Sequence, residues 1–182
     1  MNVPRFIRRL FRAPYDGLQH LAVVAEGVLY RCGQPTPAQL GDLIDRFRLR
    51  SVVSLRGTRG AADPDAWEAA ERAVCQSRGV EFVAIPCNHK HPPTAEQVEQ
   101  FLDLCRHPQR RPVLVHCRLG QQRTLLFCAL YRVRVDGLPV ERAEAEMDAL
   151  GFAAHKRRHR RLLAAFRAYA AGPPGPLSTC RS

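Results

Sequence analysis

The chain has 182 residues, of which 46% are hydrophobic and 25% charged. That combination provides for one globular domain with a sizeable core and argues against two full domains; it excludes disorder throughout and collagen- or mucin-like classes. The net charge of +11 comes almost wholly from arginine, the only lysines being Lys90 and Lys156, and a basic balance of this size favours anionic partners such as nucleic acid, acidic lipid or phosphorylated substrates without choosing among them.

Residues 1–19 read as a basic tail in which Arg5, Arg8, Arg9 and Arg12 surround Phe6, Ile7, Leu10 and Phe11. It carries no signal-peptide core before a cleavage site, and a basic-apolar end of this kind suits the surface of an acidic membrane. Residues 20–171 read as one domain. Val28 to Arg31 predicts a strand and Gly33-Gln34-Pro35 a turn. Thr36 caps a helix whose first residue is Pro37 and whose apolar positions Leu40, Leu43, Ile44 and Phe47 recur at helical spacing through Arg48. Ser51 to Leu55 is a β-branched strand running into the polar loop 56–60. Asp63-Pro64 opens a helix that stops at Gly79. Val80 to Ile85 predicts a third strand, followed by the loop 86–93. Thr94 with Gln97 forms a capping box ahead of Val98, Phe101, Leu102 and Cys105, and Pro112 to His116 is a short strand of the buried kind. Helices then follow over Arg123 to Val135, Pro139 to Leu150 and His155 to Ala171, before a Pro/Gly-rich tail over 172–182.

Strands alternating with helices, then helices alone, predict a three-layer α/β domain whose central sheet has four to five largely parallel strands. Ligands in such sheets bind at the carboxyl ends of the strands, which brings the loops 56–63, 86–93 and 117–123 together. Seven cysteines, an odd number with no Cys-x2-Cys pair, argue against a disulfide framework or a zinc ribbon, and a reduced, cytoplasmic protein without metal or cofactor is expected. No run reaches the roughly eighteen apolar residues of a membrane-spanning helix.

Three Cys-x5-Arg pairs occur: Cys105 with Arg111, Cys117 with Arg123, and Cys128 with Arg134. In an arginine-rich chain the spacing alone carries little. Context separates them, because only Cys117 leaves a buried strand, enters a loop with a central glycine, and leads into a helix. Such a passage aims successive backbone N–H groups and a helix N-terminus at one point, which cradles an anion. The same field lowers the pKa of a thiol at the start of the loop and yields a nucleophilic thiolate. Arg123 at the far end can hold two oxygens of a phosphoryl group. Thiolate attack in line, with charge stabilised by amides and a guanidinium, makes a coherent phosphoryl-transfer site.

The segment His116-Cys117-Arg118-Leu119-Gly120-Gln121-Gln122-Arg123-Thr124 resembles the signature loop of cysteine-dependent protein tyrosine and dual-specificity phosphatases. Leu29-Tyr30-Arg31-Cys32-Gly33-Gln34-Pro35, Val52 to Gly57 and Phe82 to Pro86 are similar, in the expected order, to landmarks of bacterial atypical dual-specificity phosphatases. The resemblance implies that Cys117 forms a phosphocysteine intermediate, that Arg123 and the loop from Arg118 to Arg123 bind the phosphate, that Thr124 eases departure of the thiolate, and that His116 orients the loop. Phosphatases of this type take the leaving-group proton from an Asp in the loop after the preceding strand. Here that loop is Cys87-Asn88-His89-Lys90-His91, without a carboxylate. His89 and His91 are candidates, since an imidazolium suits general acid work near neutrality, and Asp63 or Asp65 could reach across from the neighbouring strand end. Leu125 stands where the family often has Gly.

The implied activity is metal-independent hydrolysis of phosphomonoesters: phosphoprotein at Tyr or Ser/Thr, or inositol phosphates and phosphoinositides, the last favoured by a second charge at Arg118. The basic run His155 to Arg161 offers a solvated helical face or a landing site for an acidic lipid, a polyphosphate or RNA. Nucleic acid is not expected as a partner, since charge is the only argument for it. The alternatives are a phosphate-binding module that lacks turnover, a sulfur-transfer or arsenate-reducing cysteine loop, and a basic nucleic-acid-binding protein. Cys32, Cys87 and Cys128 are candidates for a resolving thiol that protects Cys117.

Overall fold

A computed structural model describes residues 18–57 and 66–172. The elements in chain order are β1 (Ala22–Ala25), β2 (Leu29–Cys32), α1 (Pro37–Phe47), β3 (Ser51–Ser54), α2 (Ala66–Ser77), β4 (Glu81–Ala84), α3 (Ala95–Arg106), β5 (Val113–His116), α4 (Gln122–Arg134), α5 (Val140–Ala149) and α6 (Arg160–Ala170), with short 3-10 turns at Pro108–Arg110 and Arg157–His159. The expected α/β architecture is present. The five strands lie in the order β1-β2-β5-β3-β4; all pairs are parallel except β1 with β2. β5 is central and buried on both faces, and this is why Val113-Leu114-Val115-His116 is a continuous run rather than an alternating one.

The period of two along each strand divides the interior into two cores. Tyr30, Cys32, Val52 and Leu114 face α1 and α2, with Leu40, Leu43, Ile44 and Cys75. Leu29, Val53, Val113 and Val115 face α3 to α6, with Phe101, Leu126, Phe127, Leu130 and Phe166. Each large aliphatic side chain buried in this way stabilises the fold by about 1.5–3 kcal/mol relative to exposure. Helix starts follow local chemistry. Thr36 and Thr94 both form complete capping boxes, with Gln39 and Gln97, each worth about 1 kcal/mol.

Two expectations change. The sequence pattern did not mark Ala22–Ala25 as a strand, because a four-residue edge strand with Val23 facing solvent and an irregular register to β2 carries little periodicity. The predicted terminal helix from His155 is shorter: turn and 3-10 backbone run through His159, and α6 begins at Arg160. His159 is buried against Phe152, with its Nδ1 3.0 Å from the Ala153 carbonyl. The basic run is therefore a folded crossing into α6, not an even helical face. Among the described residues no helix is long and apolar enough to cross a membrane. The basic N-terminal tail, except for Leu18 and Gln19, and the C-terminal tail beyond Gly172 lie outside the described residues.

Candidate active site

Register aligns the strand ends that build the site. Cys32 of β2, His116 of β5 and Ser54 of β3 lie in one row across the parallel strands, so the chain leaves β2, β5 and β3 at the same edge. Cys117 follows His116 directly and is 2% exposed. The loop after it reaches α4, a 13-residue helix whose N-cap, Gln121, makes no side-chain capping bond. The first amides of α4 are thus left for a ligand.

The loop is held from its outer side. The Gln34 amide donates to the Arg118 carbonyl at 3.4 Å, and Arg31 Nη1 donates to the Gly120 carbonyl at 3.2 Å. A trans peptide points its N–H opposite to its C=O, so carbonyls anchored outward turn the amides of Leu119 and Gln121 inward. Gly120 has φ +64° and packs so closely that a Cβ would come within 2.5 Å of the Gly33 nitrogen. The central glycine is therefore required by both backbone conformation and space.

Burial pushes the Cys117 thiol up, but the Arg123 charge, the Thr124 hydroxyl and the Leu119 and Thr124 amides act together against it and hold its pKa below the ordinary thiol value. Four other described thiols show what burial does without those partners: Cys32 and Cys105 are pushed well above the thiol range, and Cys75 and Cys128 up to about 12. No disulfide joins the six described cysteines. Arg123 is braced through Nη1 by the carbonyl of Leu55, just past β3, at 2.7 Å and by that of Cys87, in the loop after β4, at 3.2 Å. Among the described residues its Nε and Nη2 make no protein bond, which leaves one edge of the fork for phosphate oxygens.

Beneath the loop runs a buried polar chain that sequence reading did not find. Arg56 Nη1 donates to Gln34 Oε1 at 2.9 Å, Gln34 Nε2 donates to Glu71 Oε1, and that carboxylate stands 3.3 Å from His116 Nε2. Glu71 is 1% exposed, on α2. Burial, then the charges of Arg56 and Arg123, push the His116 imidazole down to about 3. His116 is therefore neutral, and its contact with Glu71 is not an ion pair at neutral pH. Nothing in the local sequence around Glu71 marks it, since a glutamate in an amphipathic helix is ordinarily solvated.

A groove of about 500 Å³ crosses the loop, lined by His89, Gln122, Arg123, Lys156, Arg158 and Leu162 among others. Of the candidates for general acid, His89 lines this groove and His91 does not, while Asp63 and Asp65 lie outside the described residues. Asn88 Oδ1 accepts from the amides of Lys90 and His91, so it shapes the turn that presents His89. Arg118 is exposed and does not line this groove, whereas Lys156 and Arg158 do, from the crossing into α6. Leu125 is buried in the core and does not crowd the helix start.

Residues 17–163 match the family described as "DSP-PTPase phosphatase fused to NAD+ Kinase". The chain belongs to this family. It is 33% identical over 124 residues to the dual specificity protein phosphatase TpbA of Pseudomonas aeruginosa strain UCBPP-PA14, covering 68% of this chain and 51% of that protein. The chain thus spans about half the length of the curated relatives it matches. The crystal structure of P. aeruginosa TpbA aligns with a TM-score of 0.62 at 26% identity, covering 87% of this chain and 96% of that one. The core catalytic domain of the PP-IP phosphatase SIW14 from S. cerevisiae shares the fold, with a TM-score of 0.62 at 15% identity over 84% of this chain and 95% of that one.

Proposed function

We propose that the protein is a phosphomonoester hydrolase that works through a phosphocysteine on Cys117 and acts on phosphorylated protein. The observation that carries this is the depressed thiol of Cys117 beside the braced fork of Arg123 at an uncapped helix N-terminus. The thiolate attacks phosphorus in line, forming the S–P bond as the ester P–O bond breaks. Arg123 and the amides of the loop from Arg118 to Arg123 hold the three equatorial oxygens, and His89 gives its proton to the departing oxygen. Water then displaces the thiolate from phosphorus, giving its proton to the now neutral His89 and returning Cys117 as the thiolate, with the Thr124 hydroxyl hydrogen-bonded to the leaving sulfur. His116 positions the loop. No step calls for a metal. The test is hydrolysis of p-nitrophenyl phosphate in EDTA, with activity lost in Cys117→Ser and Arg123→Ala. Phosphate binding without turnover in the wild type would overturn the reading in favour of a binding module.

A second reading of the substrate rests on Lys156 and Arg158 in the groove. A polyphosphorylated small molecule, such as an inositol phosphate or a phosphoinositide headgroup, presents a second anion there, and TpbA's designation as a protein phosphatase favours phosphopeptide first. Replacing Lys156 and Arg158 with alanine together raises KM about tenfold or more for a substrate whose second phosphate sits on these residues, and much less for an aryl monophosphate. A membrane role for the basic tail or the crossing into α6 is tested by binding to vesicles with and without acidic lipid.

A further inference from the structure

A second cavity, sharing no residue with the groove, lies between the edge strand β1 and helices α4 and α5. Its volume is about 290 Å³ and its walls are apolar, with Val24, Leu125, Ala129, Ala143 and Met147. Val23 and Leu150 also line it and are 51% and 47% exposed, two of the four large hydrophobic side chains left exposed among the described residues. They mark its mouth.

The wall carries one cation that the fold does not neutralise. Arg31 is 6% exposed and lines the cavity. Its one hydrogen bond among the described residues runs from Nη1 to the Gly120 carbonyl, and no described carboxylate pairs with it. A guanidinium has five N–H donors, and a buried charge is ordinarily paired. The other charged groups of the wall are satisfied: Arg132 pairs with Asp136 and lies 3.6 Å from Glu146. An apolar slot with a single unpaired cation matches a ligand with an apolar chain and one negative end.

We propose that this cavity binds a medium-chain monocarboxylate, its chain lying between β1 and α4–α5 and its carboxylate on Arg31. At about 30 Å³ per heavy-atom-sized occupant, the volume takes about ten such atoms, a chain of about eight to ten carbons. Each buried methylene strengthens binding about fourfold. The head of the ligand then sits one hydrogen bond from the signature loop, through Arg31 and the Gly120 carbonyl.

The experiment is a titration of the 15N-labelled full chain with decanoate, below its micelle concentration and with saturating inorganic phosphate to keep carboxylate out of the signature loop. Decanoate is expected to give saturable shifts confined to the cavity wall, at Ala22–Val24, Arg31, Leu125, Cys128–Ala129, Ala143–Met147 and Leu150. Decanol, which has the chain without the charge, should bind at least about tenfold more weakly, and acetate should show no saturable binding. Met147→Trp fills the cavity, and Leu150→Glu puts a negative charge at its exposed mouth. Both should weaken decanoate while leaving p-nitrophenyl phosphate turnover unchanged, and the second keeps the test valid if the first does not fold. Absence of saturable decanoate shifts, decanol binding as tightly as decanoate, or undiminished binding in a folded variant would overturn the proposal.

Discussion

Gly120→Ala tests whether the signature loop is clamped as tightly as the structure indicates. An added Cβ would stand 2.5 Å from the Gly33 nitrogen and 2.6–2.7 Å from the Cys32 carbonyl group, all backbone atoms that cannot swing aside as a side chain does. Restoring even the 3.4 Å of an ordinary contact requires the loop and the β2 turn to part by about 0.9 Å. Alanine at φ +64° adds about 1–2 kcal/mol of backbone strain, and the overpacking about 1–3 kcal/mol. A melting temperature lower by about 5–15 °C follows for a domain of this size. The larger effect falls on chemistry. A displacement near 1 Å breaks the bonds from Arg31 and Gln34 that turn the amides inward, and misplacement of that size costs about a hundredfold in rate. The assays are thermal unfolding and kcat on p-nitrophenyl phosphate. If the variant melts within about 2 °C of wild type and keeps kcat within about threefold, the clamp does not position the loop and the reasoning fails.

Glu71→Leu removes the acceptor of the Gln34 side chain in a buried setting and is expected to cost about 1–3 kcal/mol, read by urea unfolding; a cost no greater than that of Glu71→Gln would show that the acceptor is immaterial. Thr124→Ala takes the hydroxyl from Cys117, so the acidic limb of the pH–rate profile moves to higher pH. Slowed breakdown of the phosphocysteine also gives a burst of one p-nitrophenol per enzyme; an unmoved limb without a burst would remove Thr124 from the mechanism. The His116 imidazole is neutral in the fold, pushed down to about 3 from the ordinary 6.5. Between those values the unfolded chain binds a proton that the folded chain refuses. The stability this confers is complete above the unfolded pKa and is lost as pH falls, by up to about 1.4 kcal/mol per pH unit. Urea unfolding at several pH values between neutrality and pH about 4 is expected to show a steeper decline in wild type than in His116→Gln, and equal slopes would contradict it.

Much of the site was legible because its chemistry is local. His116-Cys117 at the end of a buried strand, Gly120 in the loop and Arg123-Thr124 at the helix start are set by a nine-residue segment, and a strand–loop–helix passage turns amides toward one point wherever it occurs. The two threonine caps and the parallel strands were legible for the same reason: each depends on neighbours in sequence. The short edge strand β1 was not, because four residues with one exposed valine look like loop until β2 pairs with them.

What only the tertiary structure decided are the contacts between segments far apart in the chain. Arg31 reaches Gly120 across 89 positions, Arg123 reaches Leu55 across 68, and Gln34 meets Glu71 across 37. No periodicity or spacing encodes such pairs, since a side chain's partner depends on how strands are ordered in the sheet and not on its neighbours along the chain. The same holds for His89 and His91, two residues apart in one loop, of which His89 alone lines the groove. It holds too for Lys156 and Arg158, which turn to the groove because His159 is pinned into the core beside them. The sequence determined where the Cys117 thiol sits and the loop of amides around it, because both are built within one turn of chain; packing of distant elements decided how that loop is braced and what lines it.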